Sequence, residues 1–250
     1  MTDNRSPITG IQAILFDAGG TLIHIDGERL SRAAGIPHEA RQFEAAEAAA
    51  VAQVRAWILR HPESTDRERL PLFLDTILRN LGLEGEAERR DAAERIAGEH
   101  GRSNLWSRPA AGAPETLAEL ASRGYRLGVV SNADGRVRAL LEQAGLARWL
   151  EVILDSAEVG VEKPDPRIFL AACERLGTSP AATLMVGDHA VADGGAVAAG
   201  LKFHLLPPHE GHGSRGLARV IEIVDRSRAE SAEIAPSAQK GQQSSSGSEP

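Results

Sequence analysis

Four short stretches carry side chains able to do polar chemistry, and most of them close an apolar run. The first is Asp17-Ala18-Gly19-Gly20-Thr21, directly after Ile11-Gln12-Ala13-Ile14-Leu15-Phe16. A carboxylate at the carboxyl end of a buried strand, followed by a glycine turn and a hydroxyl, sits where open α/β sheets place their chemistry. The second is Ser131-Asn132, which ends the β-rich run Arg126 to Val130. The third is Lys163, in Gly160-Val161-Glu162-Lys163-Pro164-Asp165-Pro166. Lysine is scarce here. Lys163, Lys202 and Lys240 are the only ones, and every other basic side chain except histidine is arginine. The fourth runs from Gly187-Asp188 to Asp193, after the strand-like Ala182 to Val186. Two carboxylates at this spacing, between a strand and a helix start, are hard oxygen ligands of the kind Mg²⁺ takes. Asp188 reads as a direct ligand, and Asp193 as a ligand through water or an orienting group. Each stretch alone also fits a plainer role. A strand-end Asp caps helices, Ser-Asn makes turns, and Lys-Pro sits in solvated loops. Their order and settings together carry the chemical reading.

Elements that alternate must position these groups. Helical stripes fill residues 28 to 103. His38 to His61 places Phe43, Ala46, Ala50, Val54, Trp57 and Ile58 on one face. Asp66 to Leu81 repeats the pattern with Leu70, Phe73, Leu74, Ile77, Leu78 and Leu81, and Ala87 to Gly98 is a charged helix closed by Gly98 and Gly101. After Pro109 the period switches. Strands at Arg126–Val130, Val152–Leu154, Ala182–Val186 and Lys202–Leu206 are separated by helices near 114–123, 136–143, 166–176 and 190–199, with a last helix at 216–228. Strands alternating with helices imply an α/β fold with a doubly wound parallel sheet. The expected division is a Rossmann-like core over 8–24 and 105–230, an inserted α-helical cap over 25–104, and a Ser-, Gln-, Gly- and Pro-rich disordered tail over 231–250.

Composition narrows the partners. Hydrophobic residues make up 42% and charged residues 25%, ordinary for a soluble globular chain. The net charge of −7 comes with no basic block, so nucleic acid is not an expected partner. No apolar run reaches membrane-spanning length, and Met1 to Gly10 has no apolar signal core, so a cytoplasmic protein without a membrane partner is expected. The single Cys173, on an apolar helix face, suits a reducing compartment and reads as a buried structural thiol. The sequence leaves the oligomeric state open.

Over residues 11 to 206 the four stretches resemble the haloacid dehalogenase superfamily. The segments Val130 to Arg136 and Lys163 to Phe169 are most like its branch related to the insect rhythmically expressed gene 2 product. The resemblance implies a Mg²⁺-dependent phosphatase acting on a small phosphorylated molecule. It makes Asp17 the nucleophile that forms an aspartyl-phosphate. It makes Ser131 a phosphoryl-binding hydroxyl helped by Asn132, and Lys163 the cation that neutralises Asp17 and the phosphoryl oxygens. Asp17, the backbone carbonyl of Gly19, Asp188 and Asp193 then hold the metal.

Gly19 is the departure. Family phosphatases carry a second aspartate at this position, which protonates the leaving oxygen and then activates water. General acid–base catalysis of this kind typically contributes about 10²–10⁴-fold. Leaving groups that are already weak bases, aryl and acyl phosphates, therefore fit this chain better than alkyl phosphates. His24, just after the first stretch, and His189, next to Asp188, are candidates to stand in for the missing acid, since histidine titrates in the right range; they equally suit a flap residue and a helix-start residue with no catalytic part. In the cap, Arg29, Arg32 and Trp57 are candidates for substrate contact.

Two other functions compete. Loss of the water-activating base equally suits a slow or inactive relative that binds phosphate ligands or holds a phosphoaspartate. The dehalogenases of the superfamily also lack the second aspartate, but they carry an aromatic residue there, and they replace the metal-binding carboxylates that Asp188 and Asp193 retain. Schiff-base chemistry of the phosphonoacetaldehyde hydrolase type needs a cap lysine, and residues 1 to 162 contain none.

Overall fold

The computed structural model describes residues 10–61, 64, 66–207 and 216–234. Along the chain come β1 (Ala13–Phe16), β2 (Ile23–Ile25), α1 (Gly27–Ala34), α2 (Ala40–Ile58), α3 (Asp66–Asn80), α4 (Glu86–Arg102) and β3 (Trp106–Pro109). Then follow α5 (Ala113–Ser122), β4 (Arg126–Ser131), α6 (Val137–Gln143), β5 (Val152–Asp155), α7 (Ser156–Val159), α8 (Pro166–Leu176), β6 (Thr183–Gly187), β7 (Lys202–Leu205) and α9 (Leu217–Ile234). Five strands form one parallel sheet in the order β5-β4-β1-β6-β7. The doubly wound α/β fold expected from the alternation is the fold observed.

The central strand shows why. β1 is buried throughout, and its side chains alternate between two clusters. Ile14 and Phe16 pack with Leu117, Leu140 and Val220 of α5, α6 and α9. Ala13 and Leu15 pack with Ile168, Phe169 and Ala172 of α8. A strand apolar on both faces needs helices on both faces, and burying each large side chain stabilises the fold by roughly 1.5–3 kcal/mol. Cys173 lies buried in the second cluster, as expected.

The inserted helices build a third cluster of their own. Leu30, Phe43, Ala46, Ala50, Ile77, Leu78 and Ile96 meet there. The stripe read on α2 divides. Phe43, Ala46, Ala50 and Ile58 are buried, whereas Val54 and Trp57 are half-buried. Between this cluster and the sheet lies a ribbon the sequence reading did not pick out, the antiparallel pair β2 and β3. Its signal was present in Leu22-Ile23-His24-Ile25, a short β-branched run.

Two boundaries differ from expectation. Gly98 and Gly101 do not close α4, which runs through both to Arg102. A glycine costs a helix about 1 kcal/mol, and burial of Ile96 with the ion pairs of Glu99 to Arg29 and Arg102 offsets that. The helix expected over 190–199 is instead a 3-10 turn, Asp193–Val197. Gly194 and Gly195 weaken the α-helix there, and Asp193 is drawn out of helical duty by the contacts described below. The last helix continues to Ile234 and so takes in the first four residues read as a disordered tail; the rest of that tail, 235–250, lies outside the described residues.

Candidate active site

Strand register sets the site. Phe16 pairs with Val129 on one side and Val186 on the other. Asp17 follows β1, Ser131 ends β4 and Asp188 follows β6, so all three emerge at nearly the same level of the sheet. This is the carboxyl edge, where neighbouring parallel strands leave their loops free to converge.

Lys163 is the centre of the arrangement. Its Nζ donates to Asp17 Oδ1 at 2.6 Å and to Asp193 Oδ1 at 2.7 Å. All three residues are nearly inaccessible, at 5% exposure for Lys163, 7% for Asp17 and 0% for Asp193. A buried cation persists only when paired and hydrogen-bonded. Burial alone would lower the lysine's pKa, but Asp17 and Asp193 outweigh it and hold Lys163 above its ordinary range, so the ammonium stays charged. Burial pushes Asp17 up to about 7; Lys163 opposes this, and the charges of Asp193 and Asp188 add to it.

Asn132 positions this lysine. Its Oδ1 accepts the Lys163 backbone N–H at 2.8 Å, and its Nδ2 donates to the Lys163 carbonyl at 2.9 Å. The side chain expected to help hold a phosphoryl group is thus engaged in clamping the lysine loop. Gly195 seats the other side of that loop. A Cβ there would fall 2.3 Å from the Pro164 carbonyl oxygen, so only glycine allows the approach. The Lys163–Pro164 peptide is cis.

Asp193 uses both oxygens. While Oδ1 accepts from Lys163, Oδ2 accepts the His189 backbone N–H at 2.9 Å. Asp188 is less buried, and Arg55 of α2 reaches it from above. The Arg55 Nη2 donates to the Asp188 carbonyl at 2.5 Å and lies 3.5 Å from its Oδ2. Carboxylate oxygens of Asp17, Asp188 and Asp193 lie within 4.8 Å of one another. Three carboxylates against the Lys163 ammonium and the Arg55 guanidinium still leave a deficit of positive charge that a divalent cation would make good, and an all-oxygen donor set suits Mg²⁺. The residues present fit that ion.

Gly19 borders the same floor, and its backbone is free of the constraint on its neighbour. Gly20 has a φ of +77° and a Cβ there would fall 2.7 Å from Asp188 Oδ2. At Gly19 a Cβ would meet nothing nearer than Trp106 Cδ1 at 3.6 Å, an ordinary contact. The position has room for a side chain and lacks one.

A cavity of about 640 Å³ opens above these groups. Asp17, Gly19, Ser131, Asn132, Lys163, Asp188 and Asp193 all border it, so the seven residues read from the four stretches are brought to one place. His24 and His189 border it too. The His189 Nδ1 accepts the Ala192 N–H at 3.0 Å, which places the proton of a neutral ring on Nε2. The three cap candidates do not border it. Arg29 ties the cap to its junction through Glu99 and the carbonyls of Ser103 and Asn104. Arg32 pairs with Glu28 on the surface, and Trp57 stacks on His61 with ring centroids 3.7 Å apart. In their place the helices and ribbon present Arg55 near Asp188, and Val54, Phe73 and Trp106 on the cavity wall, none of which the motifs could indicate.

Comparison with known proteins agrees with this geometry. Residues 11–200 match the haloacid dehalogenase-like hydrolase family. Haloacid dehalogenase-like hydrolase domain-containing protein 3 of Homo sapiens is 33% identical over 124 residues, covering 48% of this chain and 49% of that protein. The match to this chain thus spans about half the length of that relative. Phosphatase MT3486 of Mycobacterium tuberculosis is 31% identical over 211 residues, covering 78% of this chain and 87% of the phosphatase. Among solved structures, a dehalogenase with an intermediate complex superposes with a TM-score of 0.58 at 23% identity, covering 87% of this chain and 98% of its own, which speaks to the fold.

Proposed function

The chain belongs to the haloacid dehalogenase-like hydrolases, and we propose that it hydrolyses a small phosphorylated molecule through an aspartyl-phosphate on Asp17. The observation that carries this reading is the Lys163 ammonium, held 2.6 Å from Asp17 and 2.7 Å from Asp193. A fixed, desolvated cation beside a carboxylate at a strand end stabilises negative charge gathering on transferring phosphoryl oxygens. The reading is also supported by the acidic trio, which dehalogenation at carbon does not call for, and by the phosphatase among the relatives.

In this scheme an Asp17 oxygen bonds to phosphorus while the bond from phosphorus to the leaving oxygen breaks. Ser131, at the end of β4, supplies a hydroxyl to the phosphoryl group. Water then attacks phosphorus, the bond to Asp17 breaks and the carboxylate is regenerated. Mg²⁺, held by Asp17, Asp188, Asp193 and the Gly19 carbonyl, would supply positive charge to the phosphoryl oxygens. With no carboxyl group at position 19 the leaving oxygen departs without a dedicated donor, so weak-base leaving groups are favoured. A small phosphorylated molecule in the cytoplasm is the partner this reading implies.

The test is hydrolysis of p-nitrophenyl phosphate with and without Mg²⁺, set beside halide release from a 2-haloacid in the presence of chelator. Metal-dependent release of nitrophenol that Asp17→Asn abolishes supports the proposal. Halide release with no phosphatase activity overturns it. A second reading, a long-lived phosphoaspartate, is favoured by Gly19 itself, which has room for a side chain and offers no carboxylate to activate water. An intact mass that stays raised by one phosphoryl group after treatment with acetyl phosphate would select it.

A further inference from the structure

Resting on the phosphoryl-transfer reading above, we infer that the leaving group is aromatic, and that the substrate is an aryl phosphate or an aromatic acyl phosphate seated against Trp106 and Phe73. The starting point is the space beside Gly19. A Cβ built there would lie 3.6 Å from Trp106 Cδ1 and 3.8 Å from its Nε1, so the indole borders the space where the missing acid would stand. Trp106 is not isolated. Phe73 lies 5.9 Å away, tilted by 33°, and His100 meets the indole edge-on at 5.6 Å. These three rings, with Val54, Ile58 and Leu70, border the same cavity as Asp17.

Several polar groups on this wall are already engaged. Asn104 Oδ1 accepts the Trp106 backbone N–H at 2.8 Å. His100 Nδ1 accepts the Leu105 N–H at 3.3 Å, and its Nε2 lies 3.1 Å from Arg136 Nη2. Arg69 bonds to the hydroxyl and carbonyl of Ser64, and Glu47 likewise has a partner. The wall therefore offers an incoming body mainly ring faces and methyl groups, with the Trp106 Nε1–H beside Gly19. A polyhydroxylated body would lose its water there and gain few hydrogen bonds in return, whereas a flat aromatic body gains offset and edge contacts. The chemistry points the same way. As the Asp17–phosphorus bond forms, the phosphorus–oxygen bond breaks and the oxygen leaves with the electron pair as a phenolate or an aromatic carboxylate. Neither needs a proton at that moment.

The test compares benzoyl phosphate with acetyl phosphate, whose leaving carboxylates are of nearly equal basicity and differ in the ring. The expected kcat/KM is about ten- to a hundredfold higher for benzoyl phosphate in the wild type, and the ratio falls toward one in Trp106→Ala and in the milder Phe73→Leu. Binding of phenylphosphonate against methylphosphonate, by calorimetry on the wild type, reads the same preference without turnover. Equal kcat/KM for the two acyl phosphates together with equal affinity for the two phosphonates overturns the inference. Tighter binding of phenylphosphonate with neither acyl phosphate hydrolysed sustains the aromatic seat and overturns the phosphatase reading instead.

Discussion

The floor and the wall of the cavity are built on opposite principles. The floor is charged and tightly bonded. Asp17, Lys163 and Asp193 are buried and hydrogen-bonded to one another, and Asn132 fixes the lysine backbone from both sides. The wall is mostly apolar, and its rings meet by packing. A bonded polar network loses most when one member is removed, because the others are left buried and uncompensated. An apolar wall loses only area. On the proposed function, the floor would decide whether the reaction happens and the wall on what.

Substitutions sharpen that contrast. The largest effect belongs to Asp17→Asn, which keeps shape and removes the nucleophile. Steady-state turnover of p-nitrophenyl phosphate should fall by on the order of 10⁴-fold or more. Next comes Lys163→Met, which strands the buried carboxylates of Asp17 and Asp193. It should destabilise the metal-free protein by about 3–5 kcal/mol, read by denaturant unfolding, with Mg²⁺ restoring part of the loss. An unchanged midpoint would show that the floor is not the tight network described. Gly19→Asp acts between floor and wall. Its Cβ fits, and it should raise turnover of alkyl phosphates by about 10²–10⁴-fold while changing aryl phosphates far less.

The smallest effect tests the bridge from helix to floor. Arg55 competes with a metal for Asp188, but the pair is long and its guanidinium partly exposed. Arg55→Ala should tighten Mg²⁺ binding about two- to fivefold by calorimetry, in keeping with ~0.2–1 kcal/mol for such pairs. Weaker binding would mean that Arg55 orients Asp188 for the ion instead of competing with it.

The same contrast explains what the sequence disclosed. Asp17, Ser131 and Asp188 were legible because each ends a short apolar strand, and a local pattern suffices to find them. Lys163 was legible through scarcity. The clamp by Asn132 was not, since it joins residues 31 positions apart and depends on how two loops meet. The wall was least legible. Val54 and Phe73 read as ordinary members of helical stripes, and only the packing of α2 and α3 turns them toward the cavity. Arg29 looked available because the carbonyls that engage it lie 74 and 75 positions away, whereas the Arg32 pair with Glu28 has the i,i+4 spacing that the sequence does show. The 3-10 turn at Asp193 was hidden for the same reason. An apolar period favoured a helix, and the contacts of Asp193 with Lys163 and His189 overrode it.

The central claim is phosphoryl transfer to Asp17 without an acid at position 19. Its most direct test is the dependence of kcat/KM on leaving-group basicity, across substituted phenyl phosphates of similar size, for the wild type and Gly19→Asp. A steep decline with rising basicity in the wild type, flattened in Gly19→Asp, is the predicted result. A shallow line that is the same in both would contradict the account, because it would mean that another group already protonates the leaving oxygen.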